Sequence, residues 1–213
     1  MSATPSTSQI LRSLRPSLEA IGLVRRRDSF YTMDAAPGFA FCVGLGSTVG
    51  GYPKGVRGVW PVVGVRHDPT ERLLAQFRAL RTPLMHTVGT PLGYLTPMKQ
   101  FREWELSTSQ QYDDARYDLA SAIQEWGMPF FRAYDSLESL LQALDDGLSL
   151  DAEYTRPVVL LQLGRIDGAL AAASALLAGL PPEPTEYTEF VREWVARFNA
   201  EVHSRVSEER EVR

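Results

Sequence analysis

FAFCVGLGSTVGGYPKGVRGVWPVVGVR, residues 39–66, decides the fold, because two apolar, β-leaning runs flank a loop rich in glycine. From Phe39 to Gly46, large side chains at odd positions alternate with small ones at even positions, which predicts a strand with one large and one small face. We expect a helix or another backbone to approach the small face closely. A further strand is predicted from Val59 to Arg66. Pro61 places that strand at a sheet edge or at a bulge, because proline cannot donate to a β-ladder.

The loop between these strands contains Gly50 and Gly51 and suggests a phosphate-binding loop. A Walker loop requires GxxxxGK followed by Ser or Thr, and a dinucleotide fingerprint opens a helix. Here Tyr52 and a second β-leaning run follow the glycines, and Lys54 has no hydroxyl residue after it. We interpret the loop as a hairpin whose glycines permit positive φ. The alternative is a small-molecule or nucleotide-binding enzyme that uses the glycine-rich loop 44–58.

Three residues in or beside the loop suit a recognition surface: Tyr52, Arg57 and Trp60. Aromatic side chains and arginine are enriched at the hot spots of protein interfaces. We therefore predict that these three residues bind a partner.

Composition indicates a globular protein with one compact domain over residues 1–213. The chain is 44% hydrophobic and 23% charged, and no apolar run approaches the roughly 20 residues that cross a bilayer. The amino terminus, MSATPSTSQI, lacks the basic start and apolar centre of a secretory signal, and Cys42 is the single cysteine. A reducing, cytoplasmic location without membrane association is predicted.

Charge divides the chain into a basic, sheet-rich half and an acidic, helical half. Residues 1–106 hold 13 Lys and Arg against 7 Asp and Glu, a charge of +6, and residues 107–213 hold 9 against 19, a charge of −10. The halves either attract each other or leave the acidic half to receive a basic partner. The predicted docking patch for that partner consists of Asp145, Asp146, Asp151 and Glu153. Carboxylates near the carboxyl end of a helix oppose its dipole by up to about 1 kcal/mol, so local stability does not explain Asp145 and Asp146.

Apolar periodicity predicts a helix over residues 8–22, in which Pro16 either kinks the helix or lies in the first turn of a helix that starts near Arg15. One strand is predicted over residues 23–33. Asp68, Pro69 and Glu71 mark the start of a helix through a capping box. We expect a loop over residues 82–98 and another strand over residues 100–106.

The second half is predicted to be helical. An apolar stripe from Tyr112 to Trp126 predicts a helix that ends at Gly127 and Pro129. A capping box of Asp135 and Glu138 predicts the start of the next helix. A helix pair over residues 157–163 and 167–177 turns at Gly164, and a last helix runs over residues 185–206. The chain is therefore predicted to be an α+β protein. Its antiparallel sheet of about four strands is packed by an N-terminal helix and by a C-terminal set of helices.

Sequence motifs of catalysis and metal binding are missing. The sequence contains no G-x-S-x-G, H-E-x-x-H, C-x-x-C or calcium-loop pattern, and Cys42 sits among apolar residues of a predicted strand. Arg25, Arg26 and Arg27 are consecutive on a strand and point to both faces, so they do not form a nucleic-acid surface. We predict no catalytic residue, no cofactor, no metal and no nucleic acid.

Three segments carry a family resemblance: GLVRRRDSFYTM (22–33), WELSTSQQYDDARYDLASAIQEWGMPFFRAYDSLESLLQAL (104–144) and LLQLGRIDGALAAASALL (160–177). Over roughly residues 8–178 the chain resembles the bacterial family called domain of unknown function 4304. The resemblance implies an α+β domain without established catalytic residues, of a kind often encoded beside secreted toxins. We therefore expect a non-enzymatic protein-binding module, an immunity protein that neutralises a toxin by binding a basic toxin domain. The partner's identity and the oligomeric state stay open.

Overall fold

A computed structural model describes residues 4–27, 29–48, 50–80, 86–149 and 151–211. Two compact units share the chain. The sheet unit comprises Met1–His67 and Val88–Asp135, and the helical unit comprises Asp68–Thr87 and Ser136–Arg213. The units are discontinuous in sequence, so their limits differ from those of the two charge halves. The single-domain assignment stays a prediction.

The sheet unit is built on an antiparallel sheet in which six strands are described, which confirms the predicted fold class with more strands than the four expected. The neighbouring order is β1-β2-β3-β4-β5, and β6 also pairs with β4. The strands are β1 Val24–Arg27, β2 Phe30–Asp34, β3 Phe39–Thr48, β4 Arg57–His67, β5 Val88–Pro91 and β6 Trp104–Leu106.

The single strand predicted over residues 23–33 is wrong, because the chain reverses there. β1 and β2 form an antiparallel hairpin in which Val24 faces Thr32 and Arg25 faces Tyr31. The register shifts between Arg25 and Arg27, as at a bulge. The sequence between β1 and β2 contains neither glycine nor proline, so the usual sequence markers of a hairpin are missing.

The two faces of β3 differ as the alternation predicts. Phe41 and Val43 are buried on the large face, where the helical segment at Gly127 packs, since a Cβ at Gly127 would lie 3.2 Å from the Phe41 ring. On the small face, the group that approaches β3 closely is a side chain, which differs from our expectation. The indole of Trp60, rather than a helix or a backbone, lies against Gly46 there.

Pro61 lies in an interior strand, so the predicted edge position or bulge is wrong. β4 pairs with β3 on one side, where Pro61 faces Leu45. On its other side it pairs with β6 over residues 57–59 and with β5 over residues 62–65. Trp60 and Pro61 have no partner in β5 or β6. This gap between two short strands accommodates a residue that cannot donate.

Residues 82–98 are not the loop that was predicted. β5 and a 3₁₀ turn, Leu92–Leu95, occupy part of this segment, while residues 81–85 lie outside the described part of the chain. The turn packs tightly on the following segment, since a Cβ at Gly93 would lie 2.3 Å from the carbonyl oxygen of Gln100. The strand predicted over residues 100–106 is shortened to β6 because residues 101–103 are irregular.

The N-terminal helix consists of two helices, α1 Thr7–Ser13 and α2 Arg15–Ala20. Pro16 lies in the first turn of α2, where its missing N–H is not needed, so this alternative is confirmed. The preceding residues form a helix of their own, which Ser6 and Gln9 start with a capping box.

The helix predicted to stop at Gly127 and Pro129 continues instead. α4, Asp113–Ala122, leads into a π-turn, Ile123–Gly127, and then into α5, Met128–Ala133. The backbone N–H of Met128 donates to the carbonyl of Ile123, five residues back. This wider turn admits Pro129 near the start of α5, where a missing N–H costs little.

The helical unit contains α3 Asp68–Phe77, α6 Leu137–Asp145, α7 Ala152–Gln162, α8 Ile166–Ala178 and α9 Glu186–Glu211. Its core is aromatic: the Trp194 and Phe198 rings stack with centroids 5.4 Å apart, and Phe77 meets both edge-on. These three side chains are fully buried.

Helix boundaries in this unit confirm most predictions with shifts of a few residues. The capping box of α6 uses Ser136 and Ser139 instead of Asp135 and Glu138. α7 begins five residues before the predicted start at Pro157, which lies inside the helix. Gly164 has φ of 70° and turns the chain between α7 and α8, as predicted.

Candidate functional site

Two aromatic side chains of the sheet unit lie on glycine positions of the same sheet face. A Cβ added at Gly46 would come within 2.3 Å of the Trp60 indole, and one added at Gly58 within 2.5 Å of the Tyr52 hydroxyl. Gly58 and Trp60 are two residues apart on β4 and so face the same side, opposite the side of Val63 and the π-turn. The placement of both rings depends on the absence of side chains at the two glycines.

A carboxylate from the segment before β6 fixes the Tyr52 ring. The Tyr52 hydroxyl donates to Oε2 of Glu103 at 2.6 Å, and the Thr48 hydroxyl donates to Oε1 of the same residue. The hydrogen bond to Glu103, followed by burial and the charges of Glu103 and Glu105, raises the pKa of Tyr52 to about 12. Tyr52 is therefore a neutral phenol in a fixed orientation at neutral pH.

Phe101 extends this face. Its ring centroid lies 5.8 Å from that of Trp60 at an interplanar angle of 58°, and 47% of Phe101 is exposed. The sequence indicates that residues near Phe101 are aromatic and charged, yet it does not indicate which ring pairs with Trp60. We call Tyr52, Trp60 and Phe101 the aromatic surface.

Arg57 does not belong to the aromatic surface, although the sequence groups it with Tyr52 and Trp60. In the register of β4, Arg57 shares the face of Val59, opposite that of Gly58. Its Nε donates to the Thr7 hydroxyl at 3.3 Å, and its guanidinium also donates to the carbonyl of Val56. Arg57 therefore holds the loop against the start of α1.

The predicted acidic patch lies in the helical unit, and most of its carboxylates have partners within that unit. Asp145 pairs with Arg156, and Asp151 accepts a hydrogen bond from Arg78 at 3.1 Å. Asp146 accepts one from the Gln142 amide at 3.0 Å. The contacts of Asp145 and Asp146 offset the unfavourable effect of the α6 dipole on these two carboxylates.

Glu153 differs from the other three acidic residues. It is exposed in the first turn of α7 and forms no hydrogen bond or ion pair with the residues that the structure describes. It lines an open pocket of about 350 Å³, whose other lining residues lie on α7, on α8 and its C-cap, and on α9. Only one predicted acidic residue thus presents an uncompensated charge to a concave site.

The described residues of the glycine-rich loop lead into a strand and not into the helix that a dinucleotide fingerprint opens. The loop joins β3 to β4, and the next helix, α3, begins only at Asp68. Open space surrounds Gly50 and Gly51, since a Cβ at either position would meet no atom within 4 Å. Cys42 is buried in β3. In the described residues no three His, Cys, Asp or Glu side chains are grouped so as to hold a metal ion.

The structure is that of a mixed α+β protein with an antiparallel sheet, an exposed aromatic surface and a pocket that Glu153 lines. Comparisons with models of protein families, with curated proteins and with solved structures each give no match. The resemblance to domain of unknown function 4304 therefore stays a prediction. Among the helices of the described ranges, none is both long and apolar enough to cross a membrane.

Proposed function

We propose that this protein is a non-enzymatic protein-binding module and that the aromatic surface contacts its partner. The observation that carries the proposal is the exposed Phe101 ring beside Trp60, on a face where Tyr52 is also held in place. Large aromatic side chains supply much of the energy of protein interfaces. Two of the three residues predicted from the sequence, Tyr52 and Trp60, belong to this surface.

Rigidity supports a binding role for these rings. Trp60 rests on Gly46 and Tyr52 is tied to Glu103, so both have limited freedom before a partner arrives. Ordering a side chain on binding costs about 0.5–1.5 kcal/mol, and a ring that is already fixed avoids most of that cost. The aromatic surface is therefore preorganised for contact.

As the partner we propose a bacterial protein toxin that the module neutralises by direct binding in the cytoplasm. This part of the proposal rests on the family resemblance and on the acidic character of residues 107–213, which suits a basic toxin domain. The gene beside the one for this protein is the first place to seek the toxin.

The experiment uses the full chain with the photo-crosslinking residue p-benzoylphenylalanine at position 101 or, as a control, at position 117. Tyr117 is 73% exposed on α4 of the same unit and is not part of the aromatic surface. The partner is first isolated with the wild-type chain and is then irradiated with each labelled chain. Crosslinking from position 101 and not from position 117 supports the proposal. A complex that forms but crosslinks from position 117 alone, or from neither position, overturns it.

A further inference from the structure

The pocket of the helical unit is a second candidate site, independent of the aromatic surface. Its volume of about 350 Å³ lies at the lower end of the roughly 300–1,000 Å³ that small ligands occupy. The lining residues come from α7, from α8 and its end, and from α9: Glu153, Arg156, Ala172, Ala175, Leu176, Gly179 and Tyr187.

One wall of the pocket is made of small residues. Ala172, Ala175 and Gly179 recur at three- and four-residue spacing and so form one stripe along α8 and its C-cap. Leu176 adds an apolar side chain next to the stripe. This wall suits the alkyl stem of a ligand, because it offers apolar contact and leaves room.

The charged residues of the pocket lining are Glu153 and Arg156. Arg156 is neutralised by its pair with Asp145, whereas Glu153 has no partner among the described residues. The helical unit as a whole holds 16 Asp and Glu against 10 Lys and Arg, a net charge of −6. An occupant of this pocket is therefore favoured if it carries a positive charge.

Aromatic groups complete the site. Tyr187, 53% exposed, is one of the lining residues, and an aromatic face attracts a cation. Tyr154 is only 5% exposed and lies close to Tyr187, but it does not line the pocket. Burial, and after it the neighbouring Tyr187 hydroxyl, raises the pKa of Tyr154.

We propose that this pocket binds the side chain of a lysine from a basic peptide or protein. The alkyl stem of that lysine lies along Ala172 and Ala175. Its ammonium group pairs with Glu153 beside the Tyr187 ring.

The test uses two peptides, Ac-Gly-Gly-Lys-Gly-Gly-amide and the same peptide with norleucine in place of lysine. Norleucine keeps the alkyl stem and removes the charge. Binding to the full chain is followed by amide chemical shifts in NMR titrations. We expect saturable shifts for the lysine peptide, centred on residues of α7, α8 and α9, and at least about fivefold weaker binding of the norleucine peptide. Equal affinities of the two peptides, or the absence of saturable binding, overturn the proposal.

Matched variants separate the site from general effects. Glu153→Gln is expected to weaken binding of the lysine peptide about two- to fivefold, the range for an exposed ion pair. Glu138→Gln changes an exposed carboxylate in the first turn of α6 and is expected to leave binding unchanged. Ala175→Leu fills the pocket and is expected to abolish saturable binding, whereas Ala178→Leu, exposed on the same helix outside the pocket, preserves it. Unchanged affinity in both Glu153→Gln and Ala175→Leu contradicts the assignment.

Discussion

The indole of Trp60 lies so close to Gly46 on the neighbouring strand that a Cβ at residue 46 would approach the ring to 2.3 Å. The two residues are direct cross-strand partners. Cross-strand pairs are the units that stabilise a sheet, and here an aromatic ring fills the space that a glycine leaves. The alternation of large and small residues in β3 thus creates the place in which Trp60 is held.

Gly46→Ala is expected to lower the free energy of unfolding by about 1–3 kcal/mol, because the indole must move to admit the methyl group. Urea denaturation measures the change. Gly50→Ala is the control, since open space surrounds Gly50 and φ there is not in the left-handed region. Gly46→Ala with Trp60→Ala should cost less than the sum of the single changes. Equal stability of Gly46→Ala and wild type contradicts the described contact.

Glu103→Gln is expected to lower the pKa of Tyr52 from about 12 toward its usual value of 10.0, because the charged acceptor is lost. The Cζ resonance of labelled tyrosine, assigned through Tyr52→Phe, follows the titration. A phenol whose folded pKa is raised stabilises the fold fully below the unfolded pKa, and this contribution is lost as pH rises from 10.0 through about 12. A Tyr52 pKa that is the same in both proteins contradicts the contact.

The stability of the helical unit is expected to depend on pH through His86. Burial lowers the pKa of His86 below its usual value of 6.5. As pH falls through 6.5, the unfolded chain therefore takes up a proton at this residue before the folded chain does, and stability is lost. His86→Gln should make thermal unfolding less sensitive to pH in this window. An identical pH dependence in His86→Gln and wild type contradicts the stated burial.

The hydroxyl of Thr87 donates to Oε1 of Glu71 at 2.8 Å, and the Glu71 side chain is fully buried. Thr87→Val removes a donor from a buried carboxyl group, which should cost about 1–3 kcal/mol of unfolding free energy. Thr87→Ser keeps the hydroxyl and should restore most of the loss. Chemical denaturation of wild type, Thr87→Val and Thr87→Ser measures the free energies of unfolding. Equal stability of Thr87→Val and Thr87→Ser contradicts a stabilising hydrogen bond from Thr87 to Glu71.

Local signals predicted most of the helices and the two long strands. Asp68 and Pro69 mark the start of α3, and Gly147 and Gly164, both with positive φ, mark the ends of α6 and α7. In these cases the residues that determine the structure are neighbours in sequence. The period of large and small residues predicted the two faces of β3 for the same reason.

The predictions that are wrong concern positions at which contacts between residues far apart in sequence determine the local structure. Gly127 and Pro129 normally end a helix, but the π-turn and the close packing of Gly127 on Phe41 and Val63 keep the chain helical. Pro61 is tolerated in an interior strand only because two short strands leave a gap beside it.

The candidate site was predictable only in part. Tyr52 and Trp60 were found from residue type and position. Their pairing with Glu103 and Phe101 spans a separation of about 40 to 50 residues, which no local pattern encodes. Arg57 was grouped with them by proximity in sequence, although strand alternation places it on the other face.

The dissociation constant of the complex between the purified protein and its isolated partner tests the aromatic surface most directly. Isothermal titration calorimetry compares wild type, Phe101→Ser and Tyr117→Ser, in which the two substituted residues are both exposed in the sheet unit. We predict that Phe101→Ser weakens binding at least about thirtyfold, the loss expected for a hot spot, and that Tyr117→Ser leaves it within about twofold of wild type. Affinity of Phe101→Ser within twofold of wild type would contradict the claim that the aromatic surface binds the partner.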